Sequence, residues 1–519
     1  MNEYNVTGGQ GMTTSNHKTP QYPEPYWREE ELPAFDKLRE DAQTEIAIVG
    51  GGITGITAGY LLAKEGFKVS ILEAGNILNG TTGHTTAKLT AQHGLIYDEL
   101  ISHFGEEKTK LYYQASTDAI EFVRNIVSEK QIDCDFSNEE AIIYAVSEEY
   151  ARKVEKERQA YEKLGIPSGM KESIPFNINT TAVLSMFDQA QFHPLKYLKK
   201  LLKDFVDLGG IVYENTTAAD IEDGSLPDVV TRDGHRLKCK YVIAASHFPF
   251  ADKKGFYFAR LSPERSYVLG VKTKEDFPGG MYYSADSPTR SLRYTPYNGD
   301  KLILVSGDSH KTGHGPDTMK HYEALEAFAE EVLGITDYPY RWSAQDLYTL
   351  DKVPYIGPIT SKQKNIFVAT GYRKWGMTNG TAAAMLIKDQ IMERDNPYAE
   401  LFTPSRFQAD PSIKKFIAAN TDVAGQLIKG KLEFVPKETA DLSHDEGGVV
   451  MINGKRTGAY RDPEGSLHLV DTTCTHMGCE CEWNHGDRTW DCPCHGSRFS
   501  YDGTVVEGPA AKPLKKVEE

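Results

Sequence analysis

No apolar run in this 519-residue chain approaches the ~18 residues that a membrane-spanning helix needs, so no span is expected. An excess of positive charge is also lacking: 58 Lys and Arg stand against 74 Asp and Glu, a formal net charge of −16 with a pI near 5.5. That balance argues against nucleic acid or an anionic membrane as the main partner. The opening stretch, MNEYNVTGGQGMTTSNHKTPQYPEPYW, has no apolar core of the kind a secretory signal carries, and reads as a flexible lead-in within a polar extension over 1–43. A cytoplasmic protein is the expectation. Cysteine is scarce through most of the chain, where Cys134 and Cys239 stand alone and read as buried, reduced thiols. The other five of the seven cysteines fall between Asp471 and Gly503.

A chain of this length suits two to four domains with sizeable cores. Near its start, TEIAIVGGGITGITAGYLLAKEGFKVSILEAG (Thr44–Gly75) changes periodicity twice. Ile46–Val49 is a short β-branched run of buried-strand type, Ile53 to Lys64 has helical spacing, and Lys68–Leu72 is strand-like again. Between the first strand and the helix, Gly50-Gly51-Gly52-Ile53-Thr54-Gly55 satisfies G-x-G-x-x-G. Gly50 allows the tight turn, Gly52 lets backbone approach a pyrophosphate, and Gly55 lets helix and strand pack closely. The N–H groups of the first helical turn, at Ile53 and Thr54, offer hydrogen bonds to the anion. Glu73, followed by Ala74, ends the second strand 18 residues after Gly55, where a carboxylate accepts from ribose hydroxyls. A second fingerprint is missing. Pyridine-nucleotide-dependent flavin reductases usually carry two, so electrons are expected from a substrate bound directly against the cofactor.

The next segment, NGTTGHTTAKLTAQHG (Asn79–Gly94), is a loop rich in small and hydroxyl residues. Here the chain resembles the D-amino-acid-oxidase/glycine-oxidase superfamily of FAD flavoproteins, in which such a loop lies along the flavin. FDQAQFHPLKYLKKLLKDFVDLGGIVYENTTAADI (Phe187–Ile221) looks like that family's crossover helix and following strand, and KYVIAAS (Lys240–Ser246) like its strand leading back to the flavin. WSAQDLYTLDKVPYIGPI and NIFVATGYRKWGMTNGTAAAMLIKDQI look like its carboxyl-terminal flavin motif. The resemblance implies an α/β FAD-binding domain (Rossmann-like, glutathione-reductase type) on 44–95, 190–258 and 345–395, with an α+β substrate domain on 96–189 and 259–344. It implies FAD contacts at Thr81, Thr82, His84 and Thr85, and at Gly371, Gly376, Met377 and Thr378, where a helix N-terminus stabilises negative charge. The His84 loop is similar to the S-T-W-H-A-A-G loop through which dimethylglycine-dehydrogenase-type relatives attach FAD covalently. With Gly83 in place of the tryptophan, a non-covalent His84 is expected.

After Asn396 the composition changes. Spaced prolines and a helical stretch suggest a connector over 396–433. From 434 to 519 short alternating strands, such as GGVVMING and GSLHLVD, indicate a small β domain. Its ligand-type residues are Cys474-Thr-His476, then 15 residues, then Cys492-Pro-Cys494-His495. Zinc prefers C-x2–4-C and H-x3–5-H spacings, for which C-x-H is short. A disulfide staple alone has no need of two histidines beside the cysteines. A Rieske [2Fe–2S] centre needs two thiolates on one iron and two imidazoles on the other, which two such loops can supply. The tail closely resembles the Rieske family, with C-T-H-x-G-C and C-P-C-H-G-S intact. The resemblance implies an all-β Rieske domain in which Cys474 and Cys492 bind one iron and His476 and His495 the other. It also implies a Cys479–Cys494 disulfide tying the loops together and a proline loop at GPAAKPL (Gly508–Leu514). Cys481 and His485 match no ligand position. Ser497 matches the family's serine donor to the cluster, whereas Phe499 stands where respiratory members carry a tyrosine hydroxyl. The expected potential is therefore below the respiratory examples and above oxygenase-type ferredoxins.

Together these features suggest that a small molecule reduces FAD, and that single electrons pass through the cluster to an external acceptor protein. The family mostly oxidises C–N bonds of amines and amino acids. Many members hold a substrate carboxylate with an arginine soon after the tryptophan corresponding to Trp342. Here that stretch reads SAQDLYTLD, which makes an α-amino acid less expected than another amine. Arg290, Arg293 and Tyr294 are the candidate pocket residues. The alternatives are an electron-transfer component running in reverse, from a donor protein to an oxygenase, and a redox sensor.

Overall fold

A computed structural model describes residues 18–518 except 223, 225, 252–253, 316, 407–419, 424 and 428–437. At the front, Ile46–Val49 is buried at every position, the helix Ile53–Lys64 follows at once, and Val69–Leu72 lies parallel to the first strand. These strands centre a six-stranded sheet ordered Tyr355–Thr360, Gln363–Thr370, Tyr241–Ala244, Ile46–Val49, Val69–Leu72, Ile211–Tyr213. Neighbours run parallel except in the Tyr355–Thr370 hairpin. Period-2 alternation sorts the side chains. Ile46, Ile48, Ile71 and Ile243 face the helices Ile53–Lys64, Pro194–Asp207 and Gly376–Ile391, while Ala47, Val49 and Val242 face a small four-stranded sheet. The layout is that of the glutathione-reductase-type domain expected from the resemblance.

The second domain is built on a nine-stranded mixed sheet whose longest strands are Leu261–Thr273, Asp300–Lys311 and Ile335–Thr349. Its two faces do different things. Val268, Leu302, Leu304 and Trp342 point into the core shared with the first domain. Tyr267, Leu269, Ile303 and Val305 point the other way, under the helix Met319–Val332.

On that second face, beside the helix, sits the C-terminal module. It consists of a three-stranded antiparallel sheet (Glu446–Val470) and a four-stranded one (Glu482–Glu507). Of the expected connector, Ala399–Phe402 is helical, as are 420–423 and 425–427; residues 407–419, 424 and 428–433 lie outside the described residues.

The expectation of a flexible polar extension needs correction over 18–43. Residues 1–17 of that extension lie outside the described residues, but from Lys18 on the segment is packed, with Trp27 fully buried. The aromatic pair Tyr26–Trp27 supplies enough apolar surface to anchor it. Gln21 and Pro20 meanwhile give their carbonyls to Arg341, and Gln21 also to Arg488 of the C-terminal module. Cys134 and Cys239 are buried thiols, each pushed up to about 12 by burial.

Candidate functional site

The glycine motif folds into a cradle that no larger residue could form. At Gly50, with φ +109°, a Cβ would meet the Ala245 carbonyl oxygen at 2.4 Å, and at Gly55 it would meet Gly50 O at 1.9 Å. At Gly52 the obstacle would be Thr82 Oγ1, at 2.9 Å. That hydroxyl accepts from Ile53 N (3.1 Å), which pins the Thr81–His84 turn across the start of the helix. Glu73 accepts from Gly51 N (2.8 Å) and Gly75 N (3.0 Å), and burial pushes its carboxyl up. Ala74, beside it, is exposed.

The loop beyond is held from several sides. His84 Nδ1 lies 2.9 Å from Gly80 O, and the His84 carbonyl accepts from Trp342 Nε1 at 2.8 Å. Burial pushes the imidazole pKa down. Trp27 Nε1 donates to Thr85 O (2.6 Å), and the buried Arg293 donates to Thr86 O (2.9 Å) and Ala87 O (2.8 Å). The carboxyl-terminal motif closes on the same place. Thr90 N donates to Thr378 Oγ1 (3.0 Å), and that hydroxyl donates back to Thr90 O (2.8 Å). Thr54 Oγ1 and Tyr372 OH are 3.0 Å apart. Gly371, with φ +77°, turns where a Cβ would meet Thr349 at 2.4 Å, and Gly376 and the buried Met377 open the following helix. The glycine-cleared backbone at Gly50, Gly52 and Gly55, with the Thr81–His84 turn and the start of the helix Gly376–Ile391 held close to it, fits an FAD.

Of the candidate pocket residues, only Arg293 faces this site. Arg290 and Tyr294 lie on the opposite face, where Asp308 (2.8 Å) and Glu139 (2.9 Å) engage them; they are corrected to structural roles. Strand alternation is the reason, because a one-residue change of phase moves a side chain to the other face. Arg293 itself spends its guanidinium on loop carbonyls.

Sequence reading missed Lys88, Lys374 and Asp346. Lys88 Nζ bonds Ser291, and Lys374 Nζ bonds Ser266 and Ser309 and stands 3.7 Å from Asp346. Burial, then Arg293 and Lys374, brings Lys88 down to about 7. Burial raises Asp346 to about 6, with Lys374 opposing. The only sequence signal was adjacency: Lys88 sits inside the hydroxyl-rich segment and Lys374 inside the carboxyl-terminal motif.

At the other end of the chain two loops share one hydrogen-bond pattern. Cys474 N donates to Cys479 O (2.7 Å) and Gly478 N to Cys474 O (2.9 Å). Cys492 N likewise donates to Ser497 O (2.8 Å) and Gly496 N to Cys492 O (3.0 Å). The positive φ of Gly478 (+78°) and Gly496 (+76°) makes both turns possible. Between the loops, the sulfurs of Cys474, Cys481 and Cys492 lie within 4.8 Å of one another, and the His476 and His495 rings are 5.1 Å apart and perpendicular. Cys479 and Cys494 are disulfide-bonded. Two thiols and two imidazoles converging on one place fit a [2Fe–2S] cluster. Ser497, fully buried, accepts from Ala510 N (3.0 Å) of the proline loop, and Phe499 is also fully buried.

The loop tips face the rest of the protein. Gln345 Nε2 donates to Gly496 O (3.0 Å), and a Cβ on Gly313 would meet Pro493 N at 2.6 Å. Phe258 presents its ring edgewise to His495 (5.6 Å) and His476 (6.1 Å). Beneath lies a buried charge network. Arg265 pairs with Asp487 (3.1 Å) and Glu507 (3.1 Å), and Arg498 pairs with Asp487 (2.9 Å), Asp491 (3.1 Å) and Glu507 (3.4 Å). Burial would raise Asp487, but Arg265 and Arg498 hold it down at about 2.

Residues 45–390 match the FAD dependent oxidoreductase family (DAO), and residues 433–518 match the Rieske [2Fe-2S] domain. A Bacillus subtilis (strain 168) protein named for a Rieske 2Fe-2S centre, YhfW, is 52% identical over 505 residues, covering 97% of this chain and 99% of its own. Gamma-glutamylputrescine oxidoreductase of Escherichia coli (strain K12) is 25% identical over 71% of this chain and 88% of its own. Glycine oxidase from Geobacillus kaustophilus superposes with a TM-score of 0.60 at 20% identity, over 70% of this chain and 99% of that one.

Proposed function

From a chain that belongs to the DAO family of FAD-dependent oxidoreductases and carries a Rieske [2Fe-2S] domain at its end, we propose an amine dehydrogenase that sends its electrons out through the cluster. The observation that carries the reading is the docking of the cluster loops on one face of the sheet whose opposite face carries Ser266 and Asp346 beside Lys374. On the strand Leu261–Thr273 the two functions are one residue apart: Ser266 bonds Asp346 and Lys374, while Arg265 bonds Asp487 and Glu507.

Bound FAD supplies a two-electron acceptor and the cluster a one-electron carrier. In this reading the FAD lies along Gly50, Gly52, Ile53, Thr54 and Gly55, with Glu73 and Ala74 at the ribose. Thr81, Thr82, His84 and Thr85, together with Gly371, Gly376, Met377 and Thr378, line the flavin end, and His84 is not covalently bonded to it. Cys474 and Cys492 hold one iron, His476 and His495 the other.

The charged groups that perturb Lys88 are both cations, so an anionic group on the substrate would restore its charge. The relatives named for glycine and gamma-glutamylputrescine act on C–N compounds, which supports an amine bearing such a group. Asp346, with a carboxyl near 6, accepts the ammonium proton at its Oδ atoms. His495, 3% exposed, and the half-buried His476 both present their rings to Phe258, and in this reading the external acceptor approaches beside them at Met477, 52% exposed.

An anaerobic stopped-flow screen of amines with and without a carboxylate tests this. Flavin bleaching by a carboxylated amine, followed by cluster reduction, is expected. Bleaching by NAD(P)H or a reduced ferredoxin alone would overturn it in favour of the reverse role.

A further inference from the structure

Cys481 has no place in the four-ligand set, yet it is fully buried with its sulfur within 4.8 Å of both ligand sulfurs, Cys474 and Cys492. The local chain dictates this position. Residues two apart on an extended segment share a face, so Cys479 and Cys481 point the same way and Glu480 the other. Glu480 is anchored outward by Thr472 Oγ1 (2.7 Å) and Thr473 Oγ1 (3.3 Å), and its backbone bridges Thr473. Cys481 N donates to Thr472 O (2.8 Å), which fixes its Cα. One inward sulfur is consumed by the disulfide with Cys494. The other is carried to the ligand thiols and packs in the core of Val470, Trp490 and Phe499.

A neutral thiol has one proton to place and sulfur accepts it weakly. We infer that Cys481 donates its one S–H hydrogen bond to a ligand thiolate, Cys474 or Cys492, and thereby raises the reduction potential of the cluster. This rests on the Rieske reading of the site. Reduction adds negative charge that spreads onto the ligand sulfurs, so a donor there favours the reduced state. Cys481 is a positioning residue: it acts on the ligands and takes no electron.

The test uses the full-length protein loaded with cluster. Iron and sulfide content and the Rieske EPR signal are measured first, in wild type, Cys481→Ser and Cys481→Ala. Protein-film voltammetry should then show a lower potential in Cys481→Ala, by about tenfold in the reduction equilibrium, or about 59 mV for one electron. Cys481→Ser keeps a donor and should fall closer to wild type. An unchanged potential in a fully loaded Cys481→Ala overturns the inference, as does loss of the cluster from both variants, which would make Cys481 a ligand. Infrared spectra of loaded wild type give a second readout. An S–H stretch lowered in frequency and missing from Cys481→Ser supports the donor, and absence of any band assignable to Cys481 overturns it. A wild-type protein without a Rieske signal would instead defeat the cluster reading itself.

Discussion

A lysine brought down to about 7 is charged below that pH and neutral above it, and Lys88 is in this position because it is buried beside Arg293 and Lys374. An anionic substrate should therefore bind progressively more weakly as pH rises through 7, with KM rising about tenfold per pH unit while binding requires the charged form. Lys88→Met should remove that dependence and raise KM by roughly 10–100-fold, the value of a hydrogen bond to a charged group. A pH series of steady-state KM for both proteins checks it; a dependence that survives in the variant would reject Lys88 as the anion site. None of this was legible from the chain, because the fold brings Lys88 to Ser291, and Lys374 from a turn to Asp346 on a strand, across long sequence separations. The cluster residues were legible for the opposite reason: C-x-H-x-G and C-x-C-H-G each form one self-contained turn, so the spacing alone specifies the geometry.

At the level of elements, the segment before the first strand does more than lead in. Trp27 is buried to 0% exposure, donates to Thr85 O, and lies under the Arg293 guanidinium at 5.5 Å. Trp27→Ala should cost about 3–5 kcal/mol, as for other buried Trp or Phe truncations, and should loosen the loop Thr85–Ala87. The expected signs are a lower Tm and faster flavin loss on gel filtration; full flavin retention would show that Arg293 holds the loop unaided. The sequence carried the aromatic pair in plain view, but prolines and polar residues around it outweighed two rings in any reading by composition. Elements with strong periodicity suffered no such ambiguity. Ile46–Val49 occurs where its β-branched run puts it, the helix Ile53–Lys64 where its helical spacing does, and the helix Pro194–Asp207 where the family resemblance implies a crossover helix.

Across the whole molecule, the C-terminal module is fastened by charges buried from water. Removing one partner from such a network typically costs about 3–5 kcal/mol, since the others stay buried without it. Arg265→Met should accordingly lower Tm and slow cluster reduction after flavin bleaching, while substrate bleaches the flavin at the wild-type rate; an unchanged cluster-reduction step would refute a docked electron path. The acid dependence follows from Asp487. Its carboxyl titrates at about 2 when folded against an ordinary value near 3.8, so the stabilisation is complete above about pH 4 and is lost as pH falls towards 2. An FAD-dependent oxidoreductase part and a Rieske part could be read from the chain, but not their docking, because Arg265 looks like any strand arginine until Asp487 and Glu507 arrive from more than 200 residues away.

Neighbouring strand residues serving opposite faces also leave a mark that can be searched for. In an oxidoreductase of this family without a fused tail, an arginine at the position of Arg265 would face water without Asp487 and Glu507, left with the serine at Ser343 to bond it and the glutamine at Gln345 across from it. Where all three persist in an unfused chain, a separate Rieske protein with carboxylates at the positions of Asp487, Asp491 and Glu507 is the expected companion.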